Sequence, residues 1–209
     1  GNHKNEYSAT NFDLIKISDG VYACIHKFGG KAICNSGIVD NGASTIVFDT
    51  FLSPDAAEEL IESVKHLKLS PVKYVINSHY HNDHIRGNQS FSPEVRIMST
   101  RRTAELIEQE EPKEIAAEKI YAKKQYEYFD SLSRAYKGDT ALIEYQEIKM
   151  MKPYFEELSK SHERIKTRLP DTYIVNEKSL DGSRRKVILI DKGKGHTESD
   201  LIMYLPEEG

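Results

Sequence analysis

Three histidines and an aspartate lie within six consecutive residues of the N-terminal half, His79-Tyr80-His81-Asn82-Asp83-His84. The whole chain has only eight histidines in 209 residues, so composition alone does not account for this clustering. Neutral imidazole is a good ligand for zinc and similar divalent ions. His79 and His81 are two residues apart, so in an extended segment their rings lie on the same side and can bind one ion. Asp83 and His84 follow one turn later and would face a second ion or a metal-bound water.

Strands, turns and one helix are predicted to hold this loop in place. Short β-rich runs separated by turn clusters between residues 20 and 50 indicate a meander. A helix is predicted over 54–68, with Ser53 as its cap and Pro54 in its first turn. A short buried strand, Val72–Ile76, then leads directly into the histidine loop. Further strands are predicted near residues 95–98, 173–175, 187–190 and 201–205, and the ends of strands are where α/β folds commonly place functional groups.

The segment from Asn77 to Asn88 resembles the His-x-His-x-Asp-His motif of the metallo-β-lactamase superfamily. The strand that ends in Asp49-Thr50 and the segment Gly195-His196-Thr197 resemble two further elements of that family. The resemblance implies an α/β fold, the αββα sandwich of that family. It implies that Asp49 steadies the ligand loop. The implied ligands are His79, His81 and His196 for a first metal ion, and Asp83 and His84 for a second.

The resemblance implies zinc as the cofactor, one or two ions, with manganese or iron as alternatives. The implied reaction is hydrolysis of an ester, thioester or amide (lactam) bond in a small-molecule substrate by a metal-activated water. Asp83 is the catalytic candidate, since it would orient that water or accept its proton. Two alternatives stay open at this point: a phosphodiesterase on the same fold, and a non-catalytic metal-binding or interaction module.

The family pattern continues with a strand that ends in Gly-Asp and with a later histidine, and this sequence contains neither of them. We therefore interpret the sequence as a domain with missing C-terminal strands. A second ion would have few anionic ligands, so the first site is expected to be the better occupied. An uncovered sheet edge favours association, and a homodimer through that edge or through the helical insertion is a candidate assembly.

The sequence changes character between residues 100 and 168, where it becomes charged and helical, and we interpret this part as an insertion within a single domain of residues 1–209. Helices are predicted over 100–109, 112–136, 140–150 and 153–166, because Pro112, Gly138 and Pro153 are expected to interrupt them. The aromatic residues of the insertion would either form a lid over the metal cleft or simply pack in a helical layer. Packing is the simpler expectation.

Composition excludes several classes of partner. A net charge of -4 argues against binding to nucleic acid, which needs clustered positive charge. No apolar run is long enough for a membrane span. The two cysteines, Cys24 and Cys34, are expected to be reduced and buried. The first residue is not Met and no signal peptide is recognisable, so the compartment, cytoplasmic or exported, is left open.

Overall fold

A computed structural model describes residues 7–208 of the chain; residues 1–6 and 209 of the predicted 1–209 domain lie outside the described residues. Two short 3-10 turns, Arg86–Ser90 and Pro206–Glu208, accompany the regular elements. In chain order these elements are β1 (Phe12–Ser18), β2 (Val21–His26), β3 (Ser36–Asp40), β4 (Thr45–Phe48), α1 (Pro54–His66), β5 (Val72–Ile76), α2 (Asn82–Ile85), β6 (Arg96–Thr100), α3 (Arg101–Ala135), α4 (Ile143–Ser161), β7 (Thr172–Ile174), β8 (Glu177–Asp181), β9 (Lys186–Gly193) and β10 (Asp200–Tyr204).

The strands form two sheets. The first has seven strands in the order β1-β2-β3-β4-β5-β6-β7, and the second has three in the order β10-β9-β8. Strands β1 to β4 pair antiparallel, as the predicted meander requires, and β4 to β7 pair parallel. In the parallel half the carboxyl ends of the strands share one edge, so the loops that follow β4 and β5 and the first turn of α3 meet there.

The core lies in two layers, one on each face of the large sheet. One face packs against α1, whose buried stripe includes Ala57, Leu60 and Val64. The other face packs against the small sheet, where Ile46 and Ile76 join a cluster with Leu189. The predicted α/β architecture is therefore confirmed as a layered helix and sheet structure.

The prediction that prolines break the insertion into four helices is wrong. Pro112 lies inside the 35-residue helix α3, and Pro153 lies inside α4. An internal proline costs about 3 kcal/mol, because it removes one backbone hydrogen bond and crowds the preceding turn. Tertiary contacts next to each proline offset that cost: Glu111 of α3 is buried in an ion pair, and Phe155 and Leu158 of α4 are buried in an apolar cluster.

Most predicted strands are present, with shifted ends. Strand β5 has the predicted bounds, the predicted meander corresponds to β2, β3 and β4, and β9 extends from Lys186 to Gly193, beyond the predicted 187–190. The sequence analysis did not predict β1 or β8. Both are edge strands that bury few residues, so their apolar pattern is weak. Whether an exposed edge pairs with a second copy of the chain stays a prediction.

The outer face of the small sheet is exposed in part. Ile202 and Tyr204 of β10 are 44% and 47% exposed. Across residues 7–208, none of the helices combines the length and the apolar character that crossing a bilayer requires.

Candidate metal centre

Three histidines from two loops meet at the carboxyl end of β5. His79 lies between β5 and α2, His81 caps α2, and His196 lies in the loop between β9 and β10. One ring nitrogen of each lies within 4.8 Å of a ring nitrogen of the other two. The structure therefore brings together the three residues that the sequence analysis assigned to the first metal ion.

Ring nitrogens of the three histidines lie close to one another, as the ligands of a single cation must. Nε2 of His79 is buried and has no hydrogen-bond partner among residues 7–208, while Nδ1 of the same ring lies 2.8 Å from Oγ of Ser78. Nε2 of His196 lies 3.3 Å from Nδ1 of His81. Burial is the main cause that lowers the pKa of His79 to about 4, and the charge of the neighbouring His84 is the second cause. The pKa of His81 is lowered mainly by burial and secondly by the charge of His196. A divalent ion such as zinc fits this donor set, because it binds the neutral imidazole.

Asp49, at the end of β4, lies behind the ligand loop. Its Oδ1 accepts from the backbone N–H of Ser78 at 2.8 Å, and its Oδ2 lies 2.7 Å from Nδ1 of His84. The residue has a φ of 63°, a left-handed conformation that is unusual for a non-glycine residue and often marks a functional position. Burial alone would lower the pKa of His84, but Asp49 raises it by charge and by hydrogen bonding. Asp49 thus fixes which nitrogen of His84 carries a proton and leaves Nε2 free.

A second group of donors lies beside the first. Sγ of Cys34, a carboxylate oxygen of Asp83 and a ring nitrogen of His84 all lie within 4.8 Å of one another. The rings of His79 and His84 are 4.1 Å apart between centroids, so the two groups adjoin. Asp83 and His84 are brought together as the resemblance implied, but Cys34 was not among the candidate ligands. Its sequence position, 49 residues before Asp83, carries no signal of this contact.

A buried amide pair supports the main chain of the ligand loop. Asn77 and Asn88 exchange hydrogen bonds of 3.0 and 2.8 Å. The carbonyl of His84 accepts from the side chain of Asn77 at 3.3 Å and from the backbone N–H of Thr50 at 3.0 Å. The sequence analysis assigned no role to Asn77, Asn88 or Thr50, although Asn77 and Asn88 are the first and last residues of the recognised motif. Their function depends on contacts that only the folded chain makes.

A buried ion-pair network ties the helical insertion to the same loop. Arg86 donates to Glu111 at 2.6 Å and to both carboxylate oxygens of Glu118 at 2.7 and 2.9 Å. Glu118 also accepts from the side chain of Asn82 at 3.3 Å. Burial alone would lower the pKa of Arg86, but its bonds to Glu118 and Glu111 raise it. The insertion thus contacts Asn82 and Arg86, which lie on either side of the predicted ligands Asp83 and His84.

Asp200 organises the loop that carries His196. Its carboxylate accepts hydrogen bonds from the backbone N–H groups of His196 and Thr197 and from the hydroxyl of Thr197 at 2.6 Å. A Cβ atom on Gly195 would lie 2.5 Å from Oδ2 of Asp200, so a glycine is needed for this turn. Asp200 is not among the site residues that the sequence analysis proposed.

A cleft of about 300 Å³ adjoins the histidines and is lined partly by the insertion. Its walls contain Tyr80, His81, Asn82, Asp83, Glu110, Glu111, Glu114 and Tyr154. Other aromatic residues of the insertion, such as Phe129 and Phe155, pack against each other with ring centroids 5.6 Å apart. The aromatic residues therefore pack mainly as a layer, as the simpler expectation had it, while α3 and Tyr154 also form one side of the cleft.

Comparison with known proteins identifies a matching family model and a curated relative. Residues 29–209 match the family model described as the metallo-beta-lactamase superfamily. A curated relative, the alkyl/aryl-sulfatase BDS1 of Saccharomyces cerevisiae, is 29% identical over 133 residues, which is 60% of this chain and 20% of that protein. The chain therefore spans about a fifth of the length of this relative.

Solved structures share the fold at low sequence identity. The metallo-β-lactamase FIM-1 of Pseudomonas aeruginosa, in its mono-zinc form, superposes with a TM-score of 0.59 at 14% identity and covers 95% of this chain and 66% of its own. A metallo-β-lactamase from Pontibacter korlensis superposes with a TM-score of 0.56 at 18% identity, over 94% of this chain and 67% of its own. At these identities the likeness concerns the fold alone.

Proposed function

The chain belongs to the metallo-β-lactamase superfamily, and from this premise we propose that it is a metal-dependent hydrolase of a small molecule with an ester, thioester or amide (lactam) bond. One observation carries the proposal: His79, His81 and His196 converge, and in the part of the chain that the structure describes the buried Nε2 of His79 has no hydrogen-bond partner. A buried polar atom without a partner is costly, and a bound cation would remove that cost. Zinc is the cation we propose, since imidazole ligands suit it.

The protein's own residues would supply orientation and proton transfer. A divalent ion at the three histidines would contribute Lewis acidity toward the scissile bond and toward water. Asp83 lines the cleft beside His81, and we assign it the orientation of the attacking water and acceptance of its proton. Cys24 and Cys34 are both buried, and burial raises the pKa of each thiol, so neither serves as a nucleophile in this proposal.

The charge of the cleft favours a substrate that is neutral or positively charged near the scissile bond. Asp83, Glu110 and Glu114 line it, and none of its eight lining residues is a lysine or arginine. Glu111 also lines the cleft, but Arg86 neutralises it in part. Hydrolysis of a sulfate ester is the second candidate, because the yeast relative is an alkyl/aryl-sulfatase. The cleft would repel that anionic group, so we rank carboxylic esters, thioesters and amides first.

The test measures turnover of chromogenic substrates by the zinc-loaded chain. The panel contains p-nitrophenyl acetate, a thioester, a chromogenic β-lactam and p-nitrophenyl sulfate. We expect hydrolysis of at least one of the first three, and we expect His81→Ala to lower kcat/KM by at least about 100-fold, since the variant loses one of the metal's ligands. His66→Ala, which alters an exposed residue of α1, is the matched control and should retain activity. Undiminished turnover in His81→Ala would overturn the proposal.

Metal removal separates the enzyme from a non-catalytic metal-binding module. In an enzyme with a preformed site, a chelator should abolish turnover while the circular dichroism spectrum of the folded chain is retained. The urea midpoint should fall without loss of the fold, because a metal that binds only the folded state stabilises it. In a structural site, the fold should be lost together with the metal. A zinc-loaded, folded chain without turnover on any of the four substrates would favour the non-catalytic alternative.

A further inference from the structure

The loop between β2 and β3 places Cys34 against the predicted second-ion ligands. The side chain is 8% exposed, and the preceding residue, Ile33, has a left-handed backbone conformation with a φ of 70°. Sγ of Cys34 donates to the backbone carbonyl of Asp83 at 2.8 Å. The loop between β2 and β3 therefore contacts the segment that carries Asp83 and His84.

The spacing of the donor atoms matches a metal site. Nδ1 of His84 is held by Asp49, so Nε2 is the nitrogen available to a cation, and it lies 3.6 Å from Oδ2 of Asp83. Bonds of about 2.0 to 2.2 Å at tetrahedral angles separate two ligand atoms by about 3.3 to 3.6 Å. Sγ of Cys34 lies within 4.8 Å of a ring nitrogen of His84 and of a carboxylate oxygen of Asp83, and a zinc–sulfur bond is about 2.3 Å long.

We propose that Cys34 is the third protein ligand, as a thiolate, of a second metal site formed with Asp83 and His84. On binding, the S–H bond of Cys34 breaks, the proton passes to solvent, and a sulfur–metal bond forms with no change in oxidation state. A thiolate beside an imidazole favours Zn²⁺, Co²⁺ or Cd²⁺ over Mg²⁺ or Mn²⁺. The proposal rests on the proposed function only in taking Asp83 and His84 as second-site ligands.

A thiolate at Cys34 would add a negative charge to the second site. The sequence analysis expected this site to be less occupied than the first, because it gave the second ion few anionic ligands. Cys34 as a thiolate and Asp83 would together neutralise a divalent ion, and Asp49 lies one hydrogen bond behind His84. Without a cation, burial and then the charges of Asp49 and Asp83 raise the pKa of the Cys34 thiol, and the same negative charges attract a cation to the site.

The experiment titrates the metal-free 209-residue chain with Co²⁺. We expect two bound ions by elemental analysis after dialysis and a thiolate-to-cobalt charge-transfer band in the near ultraviolet. Cys24→Ala removes the other, fully buried cysteine and leaves Cys34 as the only thiol, so the band should persist in this control. Cys34→Ser retains a hydroxyl donor for the carbonyl of Asp83; it should lose the band and weaken the second ion at least about 10-fold.

Each outcome has a defined meaning. Two bound ions with no charge-transfer band in the wild-type chain, or Cys34→Ser with unchanged affinity for the second ion, would show that Cys34 only donates to the carbonyl of Asp83, and the proposal falls. His196→Ala, which removes a first-site ligand, should retain the band. Failure of the proposed function would instead appear as a cobalt-loaded chain with the band intact and no turnover, so the two results are distinguishable.

Discussion

Replacing Arg86 by methionine should destabilise the protein strongly and in a way that depends on pH. The side chains of Arg86, Glu111 and Glu118 are 1%, 2% and 0% exposed. Methionine fills a similar volume but leaves two carboxylates buried next to each other without a cation. Breaking a buried ion pair by removing one partner typically costs about 3 to 5 kcal/mol.

The loss of unfolding free energy can be estimated from the cost of keeping one buried glutamate protonated in the folded variant. In the unfolded chain at pH 7 both glutamates are ionised, with a pKa near ~4.3, and each pKa unit is worth about 1.36 kcal/mol. Keeping one carboxyl protonated in the folded variant at pH 7 therefore costs about 3.7 kcal/mol. Burial already raises the pKa of Glu111 in the native protein, so this is the carboxyl expected to take up the proton.

The sign of the pH dependence follows from proton linkage. The folded variant binds one more proton than its unfolded chain, because its buried carboxyl has a raised pKa. The stability of the variant therefore rises as pH falls toward ~4.3, the pKa in the unfolded chain, and declines as pH rises toward the pKa of the carboxyl in the folded variant. The loss of unfolding free energy in Arg86→Met, relative to wild type, should shrink by about 1.4 kcal/mol for each pH unit between pH 7 and pH 5.

Urea denaturation of the metal-free proteins at pH 5, 6 and 7, followed by circular dichroism, measures this difference. The metal-free state avoids linkage to metal binding, and titrations common to both proteins cancel. The triple variant Arg86→Met, Glu111→Gln, Glu118→Gln removes both carboxylates and should recover most of the pH-dependent loss. A loss below about 1 kcal/mol at pH 7, or one that does not vary with pH, would refute the reasoning.

Two further substitutions test the supports of the candidate centre. Asp49→Ala removes the carboxylate that orients His84 and should weaken zinc binding about 10- to 100-fold, measured by competition with a zinc indicator; a change within twofold would contradict the role given to Asp49. Gly87→Ala places a Cβ atom 2.0 Å from the carbonyl oxygen of Thr50 and should lower the unfolding free energy by at least about 1 to 3 kcal/mol. Gly37→Ala, whose Cβ has its nearest contact at 3.7 Å, is the control, and equal urea midpoints for the two variants would contradict the steric argument.

Much of the centre could be predicted from sequence because its donors are close together along the chain. His79, His81, Asp83 and His84 come within six residues, and the strand Val72–Ile76 that delivers them has a plain apolar pattern. The spacing of ligands in one loop depends on local backbone geometry, which the residue types constrain. Residue type also limits the chemistry, since imidazoles and a carboxylate at this spacing suit a divalent cation.

Other features depend on contacts between residues far apart in sequence, and only the tertiary structure decided them. Cys34 meets Asp83 across 49 positions, and Glu118 meets Arg86 across 32. The tertiary structure also decided that α3 continues through Pro112. The local cost of a proline predicted a break in the helix, and buried contacts outweighed that cost. Local propensities are worth about 1 kcal/mol or less for most residues and about 3 kcal/mol for an internal proline, whereas breaking a buried ion pair by removing one partner costs about 3 to 5 kcal/mol. Packing therefore decides wherever the two disagree, and no short stretch of sequence contains that information.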